Sequence, residues 1–370
     1  MVPIGFACAW GADRERTWSG TPWRLRQALA ARIDLSDLDV TLPSPVGRAL
    51  RLAYVRRDGG HWRSLWAQGR PAKLLTDRAL RAKVAAEPVS AVLEIGDLGR
   101  TPVPYYVLQD LSYDLLLEHF GERGVPHFRN LSRRQIHWLR DRQLAVYADA
   151  AGVLPMSRWL ADRCVADGVD PAKVRVINPG VNAPLDPGAA LVQRRQTEVR
   201  KLLFIGRDFD TKGGDQLVAA FALLRGEFGP KITLTIAGPK AWPLPGAVPE
   251  GIDYLGPVPV ERVQQLYDSH DLFVMPSRFE GFGIAFVEAL TRGLPCIGRD
   301  ACAMPEIISA ESGGRLVRGD EPQALAELIA ETLTDDDLYY QCGLAAPERR
   351  AHYTWDRAAA EVLAALGLTD

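Results

Sequence analysis

The chain has 370 residues, 47% hydrophobic and 24% charged, enough for two domains of ordinary size with well-filled cores. Its 44 basic and 46 acidic side chains leave a formal net charge of -2, which argues against nucleic acid as a partner. No apolar run is long enough to span a bilayer, and the five scattered cysteines (Cys8, Cys164, Cys296, Cys302, Cys342) have no metal-ligand spacing; they read as reduced thiols of a cytoplasmic protein.

In chain order, short apolar runs alternate with longer helical patterns, the signature of βα units and parallel sheets. The opening MVPIGFACAWGA lacks a basic start, so it reads as a first buried strand, Pro3–Ala9, and not as a secretion signal. The other strands expected in the first half are Val40–Leu42, Ala91–Ile95, Val103–Leu108, Gly152–Met156 and Val174–Ile177. Helices are expected at Pro22–Arg32, Leu111–Phe120, Ser132–Ala148 and Arg158–Asp167, while Pro43 to Glu87 carries no clear period.

Within this half, the loop GADRERTWSGTPW after the first strand places Gly20 where backbone can approach a phosphate or sugar. Thr21 is the expected cap of the next helix, with Pro22 at its first position. Trp18 and Trp23 suit either a sugar platform or plain packing. Strand VPYYVLQ ends in Asp110, which either orients an acceptor hydroxyl, or stabilises positive charge on an anomeric carbon, or caps the helix from Leu111. The helix of residues 131–147 carries Arg133, Arg134, Arg140 and Arg142. The simpler reading is a solvated basic face over a core-facing stripe; the alternative is contact with a membrane surface. His119, His127 and His137 are expected on surfaces.

The Pro-, Gly- and Asn-rich segment Asn178 to Ala190 reads as a linker. A second series follows, with strands Lys201–Ile205, Ile232–Ala237, Ile252–Leu255, Leu272–Met275, Pro295–Ile297 and Arg315–Val317. Its helices are Asp215–Glu227, Val260–Ser269, Ile284–Arg292 and Pro322–Leu333. The run Asp335-Asp336-Asp337 reads as a helix start and the tail Thr354 to Leu366 as a capped amphipathic helix. The fold class is therefore α/β, with two doubly wound, Rossmann-like domains and a ligand crevice expected between them at the strand C-terminal ends.

Two motifs of the second half carry chemistry. Strand KLLFIG ends at Gly206 and is followed by RDFDTKGG, so that Arg207 and Lys212 stand five residues apart on one loop. A planar guanidinium fork and a compact ammonium can converge on one diphosphate. Asp208 and Asp210 in the same loop read as solvated carboxylates. Downstream, PSRFEGFGIAFVEAL passes from a strand through Gly281, Phe282 and Gly283 into a helix beginning at Ile284. Seven residues separate Glu280 from Glu288. A helix N-terminus favours anions, whereas carboxylates beside it favour hydroxyls, and a sugar nucleotide offers both.

This second motif closely resembles the donor-binding segment of the GT-B retaining glycosyltransferases of family four, matching residue by residue at Glu280, Gly281, Phe282, Gly283 and Glu288. The resemblance covers nearly all of the second domain and the last third of the first. It implies a GT-B architecture: an acceptor-side domain of residues 1–185 joined by a crossing helix at 352–370, and a donor-binding domain of residues 186–351. It implies that Arg207 and Lys212 hold the donor diphosphate and stabilise the leaving group. Glu280 with the following amides would hold the donor hexose, and Glu288 the ribose. Where the family carries a Gly-rich first loop this chain has Ser19-Gly20, and where it often carries a polar strand-end residue this chain has Gln109-Asp110. The implied reaction is retaining hexosyl transfer from a nucleotide-diphosphate sugar, a UDP-sugar first and GDP-mannose second, without metal or other cofactor. The implied acceptor is a carbohydrate, a lipid-linked saccharide or a small molecule. Two other readings are a non-catalytic nucleotide-sugar-binding subunit and a sugar-nucleotide epimerase or hydrolase on the same fold.

Overall fold

The computed structural model describes residues 2–58, 61–122, 131–182 and 198–368. They form two compact units, Met1–Asn182 with Thr354–Asp370, and Ala183–Tyr353. The boundary between residues 185 and 186 and most of the expected linker lie outside the described residues, as does His127.

The first unit is built on a parallel sheet of five strands: β1 (Ile4–Cys8), β2 (Leu35–Asp39), β5 (Ala91–Ile95), β6 (Tyr105–Gln109) and β7 (Gly152–Pro155), in the order β2-β1-β5-β6-β7. Every residue of β1, β5 and β7 is buried, because helices cover both faces of a parallel sheet; the strands therefore read as continuous apolar runs. The helices are α1 (Thr21–Ala30), α2 (Ser44–Ala53), α3 (Arg70–Ala86), α4 (Tyr113–Glu118), α5 (Arg133–Asp149) and α6 (Arg158–Ala166). Between α2 and α3 lies an antiparallel hairpin of β3 (Val55–Asp58) and β4 (His61–Ser64).

Three expectations need correction here. The second strand is Leu35–Asp39, not Val40–Leu42; it is a polar edge strand, placed by parallel pairing of Ile4 with Leu35 rather than by apolar content. Val174–Ile177 is not a regular strand, since only Val174 bridges to Val153. Thr21 is the first helical residue of α1 and caps nothing; the cap position is Gly20, in the left-handed region at φ +96°.

The second unit has a six-stranded sheet, parallel throughout, of β8 (Arg200–Ile205), β9 (Ile232–Ala237), β10 (Ile252–Gly256), β11 (Leu272–Val274), β12 (Cys296–Arg299) and β13 (Gly314–Val317), ordered β10-β9-β8-β11-β12-β13. Its helices are α7 (Gly214–Phe228), α8 (Val260–Ser269), α9 (Ile284–Leu290), α10 (Met304–Ile307), α11 (Pro322–Thr334) and α12 (Asp336–His352). Asp335 caps α12 by accepting from the Leu338 amide, which is why the three-Asp run starts a helix. The last helix, α13 (Trp355–Ala365), belongs to the first unit and packs on α1; Thr354 caps it. Among the described residues no helix is long and apolar enough to cross a membrane.

Candidate functional site

In the second sheet the chain enters at β8, adds β9 and β10 on one side, then crosses back to add β11 on the other. At such a reversal the loops leaving the two central strands diverge to opposite faces and open a crevice at the strand C-terminal ends. Both sequence motifs of this unit are those loops. Gly206 to Gly213 follows β8, and Met275 to Gly283 follows β11.

The loops are stitched to each other. The Arg278 amide donates to the Thr211 carbonyl at 2.7 Å, and Ser277 Oγ donates to the same oxygen at 3.3 Å. Gly213 is left-handed (φ +71°), and a Cβ there would lie 2.3 Å from the Pro276 carbonyl oxygen. Only a glycine lets the loops approach this closely. Gly213→Ala is expected to cost about 2–3 kcal/mol through backbone strain and collision. Urea unfolding checks this, and an unchanged midpoint would refute the close packing.

Stitching brings Lys212 onto Glu280: Nζ lies 2.5 Å from Oε2, with the side chains only 23% and 14% exposed. Lys212 rests over Gly206, where a Cβ would come within 2.9 Å of its Cγ. Arg207, by contrast, is exposed and makes no hydrogen bond or ion pair among the described residues. The loop therefore holds one cation neutralised in place and one unneutralised. Gly283, left-handed at φ +98°, is the cap residue of α9. The first N–H groups of that helix, at Ile284 and Ala285, have no carbonyl four residues back to bond. Gly281 is half-buried and Phe282 buried, the latter with its ring against Tyr353. Glu288 lies on α9, where the hydroxyl of fully buried Tyr267 donates to its Oε2 at 3.3 Å and to the Ala285 carbonyl at 3.2 Å. Burial pushes the Tyr267 hydroxyl well above its ordinary range, and Glu288 pushes it further, so the phenol stays a donor.

The frame behind these groups is a charge network absent from the sequence reading. Arg278, 6% exposed, pairs with Asp215 at 2.7 Å and Asp320 at 2.8 Å and donates to the Asp210 carbonyl. Arg299 pairs with Asp320 at 2.7 Å and donates to Gln216 Oε1 at 2.8 Å and to the Pro276 carbonyl at 3.0 Å. Together they tie the β8 loop, the start of α7, the β11 loop and the turn after β13. The local sequence signal was only an Arg two residues before Glu280; its acidic partners are 63 and 42 positions away. Asp210 is thus partly engaged by this network, not simply a solvated carboxylate. Behind Glu280, the Ala303 amide donates to its carbonyl at 3.4 Å, and Cys302 adopts φ +53°. Burial pushes the Cys302 thiol up to about 11, so it stays protonated and unreactive at neutral pH.

Two candidates, Gly20 and Asp110, lie in the first unit. Its order reverses between β1 and β5. The β1 loop runs through three successive left-handed residues, Trp18 (φ +46°), Ser19 (φ +59°) and Gly20, and Asn182 Nδ2 donates to the Ser19 carbonyl at 2.6 Å. The Trp18 ring, 38% exposed, lies against Gly96 just past β5. Asp110 is half-buried just past β6 and is not the cap of α4; Ser112 is, accepting from the Leu115 amide at 3.2 Å. On α5, Arg142 is not on a solvated face, since it pairs with buried Asp97 at 2.8 Å beside Lys73.

The two parallel, doubly wound units have the GT-B class of fold, as the likeness to solved structures shows. Residues 192–349 match the family Glycosyl transferases group 1. It is 31% identical over 263 residues to a D-inositol 3-phosphate glycosyltransferase of Nocardia farcinica; the match covers 66% of this chain and 56% of that protein. The chain thus spans little more than half the length of that relative. Its fold resembles the sucrose-phosphate synthase of Thermosynechococcus elongatus, with a TM-score of 0.70 at 17% identity, covering 98% of this chain and 97% of that one. It also resembles HepE of Anabaena, solved in complex with UDP and glucose, with a TM-score of 0.66 at 14% identity, covering 99% and 100% of the two chains.

Proposed function

We propose that the protein is a glycosyltransferase that moves a hexose from a nucleotide-diphosphate sugar to an acceptor hydroxyl with retention at the anomeric carbon. The observation that carries the reading is the Lys212–Glu280 pair at the switch point, with unneutralised Arg207 five residues before Lys212 on the same loop. A donor diphosphate would bind Arg207 and draw Lys212 from Glu280, freeing the Glu280 carboxylate to accept from hexose hydroxyls. Fixed cations at the departing phosphate stabilise the charge that develops there, which is electrostatic catalysis. Glu288, oriented by Tyr267, would accept from the ribose hydroxyls. In the proposed same-face mechanism the departing phosphate takes the acceptor proton, so no separate base is invoked. The acceptor side is assigned to the first unit, Asp110 included.

A UDP-sugar is the first choice of donor, in line with the UDP bound to the HepE structure, and GDP-mannose is the second. A phosphorylated cyclitol is a natural first acceptor to try, given the name of the Nocardia relative. The test follows nucleotide release and product formation from UDP-glucose, UDP-N-acetylglucosamine and GDP-mannose, with and without inositol 3-phosphate. Acceptor-dependent release with an α-linked product is expected. Donor consumption that ignores every acceptor would favour hydrolysis or epimerisation instead. A nucleotide-induced rise in melting temperature without any turnover would favour a binding subunit.

A further inference from the structure

Among the described residues only Trp18, Ser19 and Cys302 combine a side chain with a positive φ, and Trp18 is the bulkiest of them. A large side chain crowds its own backbone in that region, so the conformation persists only where its surroundings impose it. The β1 loop does so through its own hydrogen bonds. Thr17 Oγ1 donates to the Asp13 carbonyl at 3.1 Å and accepts from the Gly11 amide at 3.0 Å. Asp13 Oδ1 accepts from the Glu15 amide at 3.0 Å, and Asn182 holds the Ser19 carbonyl from the far side of the unit's sequence. The strain at Trp18 and Ser19 is therefore maintained by at least four bonds, none of which involves the indole itself.

What the strained turn delivers is an indole at the switch point of the first sheet. There the chain enters at β1, adds β2 on one side and β5 on the other, so the loops after β1 and β5 part at the strand C-terminal ends. The Trp18 ring bridges that parting. Its Cη2 and Cζ2 lie 3.3 and 3.4 Å from where a Cβ of Gly96, the residue after β5, would stand. The same point is 3.9 Å from Oε1 of Gln109, the last residue of β6. One edge of the indole is thus packed, while 38% of the residue stays exposed. Trp23 is placed differently: it meets Trp10 edge-on with ring centroids 6.1 Å apart and carries the Arg26 guanidinium over its own ring. Of these two tryptophans, Trp23 packs and Trp18 is presented.

We propose that Trp18 is the platform on which the acceptor stacks, and that the acceptor hydroxyl is carried by a saturated ring, a pyranose or a cyclitol, rather than by an open-chain alcohol. The inference rests on the transferase reading above and narrows its acceptor. A ring of this kind has a C–H face that an indole covers and hydroxyls around its edge for the polar groups at the ends of β5 and β6. A flexible alcohol has no flat face to match. A cation would also favour an indole face, but Asp13, Arg14, Glu15 and Arg16 sum to zero charge on this loop. A nucleobase would stack as well, but the ribose of the donor is assigned to Glu288 in the second unit.

The test is saturation-transfer difference NMR on the full chain, with and without UDP. Methyl α-D-glucopyranoside and myo-inositol are the ring probes and glycerol is the open-chain probe. Ring signals are expected from the parent and none from glycerol. Trp18→Ala should weaken ring binding about tenfold, and Trp18→Phe should restore most of it. Trp18→Gly separates a platform from packing. Glycine takes the left-handed backbone without strain, so the melting temperature should match or exceed that of the parent while ring binding is lost. A ring that served packing alone would lower the melting temperature and leave ring binding unchanged. The inference is overturned if the ring probes give no signal under either condition, if parent and Trp18→Ala give equal signals, or if glycerol binds as well as the rings. A UDP-induced rise in melting temperature beside absent ring signals would overturn it and leave the proposed function standing. Ring binding that is lost in Trp18→Ala, without transfer from any donor, would support the platform and remove the transferase reading.

Discussion

Lys212→Ala should lower the transfer rate by about 10²–10³-fold, the usual cost of deleting one preorganised charged or donor group at a developing anion. The reasoning is geometric. The stem of Lys212 is held against Gly206, so only the ammonium has to swing from Glu280 to the docked diphosphate. Removing it leaves Glu280, 14% exposed, without its countercharge at the place where the donor's own negative charge must dock. Two penalties then act on the same step: a cation is lost and a carboxylate is left to repel the diphosphate. Arg207→Ala should behave differently. Its side chain is exposed and holds nothing else in place, so donor KM should rise roughly tenfold while stability stays unchanged. Lys212→Arg keeps the charge but substitutes a planar fork for a point charge, and should recover only part of the rate. Steady-state kinetics with a saturating acceptor separates these outcomes. A Lys212→Ala enzyme turning over at the parental rate would remove Lys212 from the chemistry.

Arg278→Ala should be the most destabilising single change in the second unit. The guanidinium is 6% exposed and serves Asp215, Asp320 and the Asp210 carbonyl at once. Deleting this shared cation takes Asp215 and Asp210 off their Arg278 contacts and leaves Asp320 to Arg299, at a cost of about 3–5 kcal/mol. For a domain of this size that corresponds to a melting temperature lower by about 10 °C. Arg278→Lys should not restore it, since one ammonium cannot bridge two carboxylates with parallel hydrogen bonds. The same network has a pH signature. Burial pushes the Asp320 carboxyl up, but hydrogen bonds from Arg278 and Arg299 outweigh it, and the group ends below the ordinary carboxylate value. A depressed folded-state value adds stability that is complete above the unfolded value, near pH 4, and disappears as pH falls through the folded one. Melting temperature should therefore drop as pH is taken below about 4, and the drop should be shallower in Arg278→Ala. Parallel pH profiles of parent and variant would contradict the assignment.

The fold class was legible because parallel strands buried on both faces write themselves as apolar runs, as at Ala91–Ile95 and Ile232–Ala237. Local devices were legible for a similar reason: the turn Glu280-Gly281-Phe282-Gly283, the strand-end Gly206 and the three-Asp helix start each act within a few residues. The edge strand Leu35–Asp39 was not, because its polar residues form a strand only by pairing with β1. The stretch Ser44 to Ala86 was not, because exposed Leu52, Trp62 and Leu74 obscure the inward period that only Ala72, Leu80 and Val84 of α3 keep.

Residue types, their order and the glycine positions were thus determined by the sequence alone, since backbone conformation and capping depend on near neighbours. Which charges meet was decided only in three dimensions. Lys212 and Glu280 stand 68 positions apart, and Arg278 and Asp215 stand 63. Strand order brings β8 beside β11, and that adjacency turns four separated loops into one site. Coulomb attraction acts over a few ångströms of space and is indifferent to distance along the chain, so the pattern that encodes each strand says nothing of the ion pairs at its end.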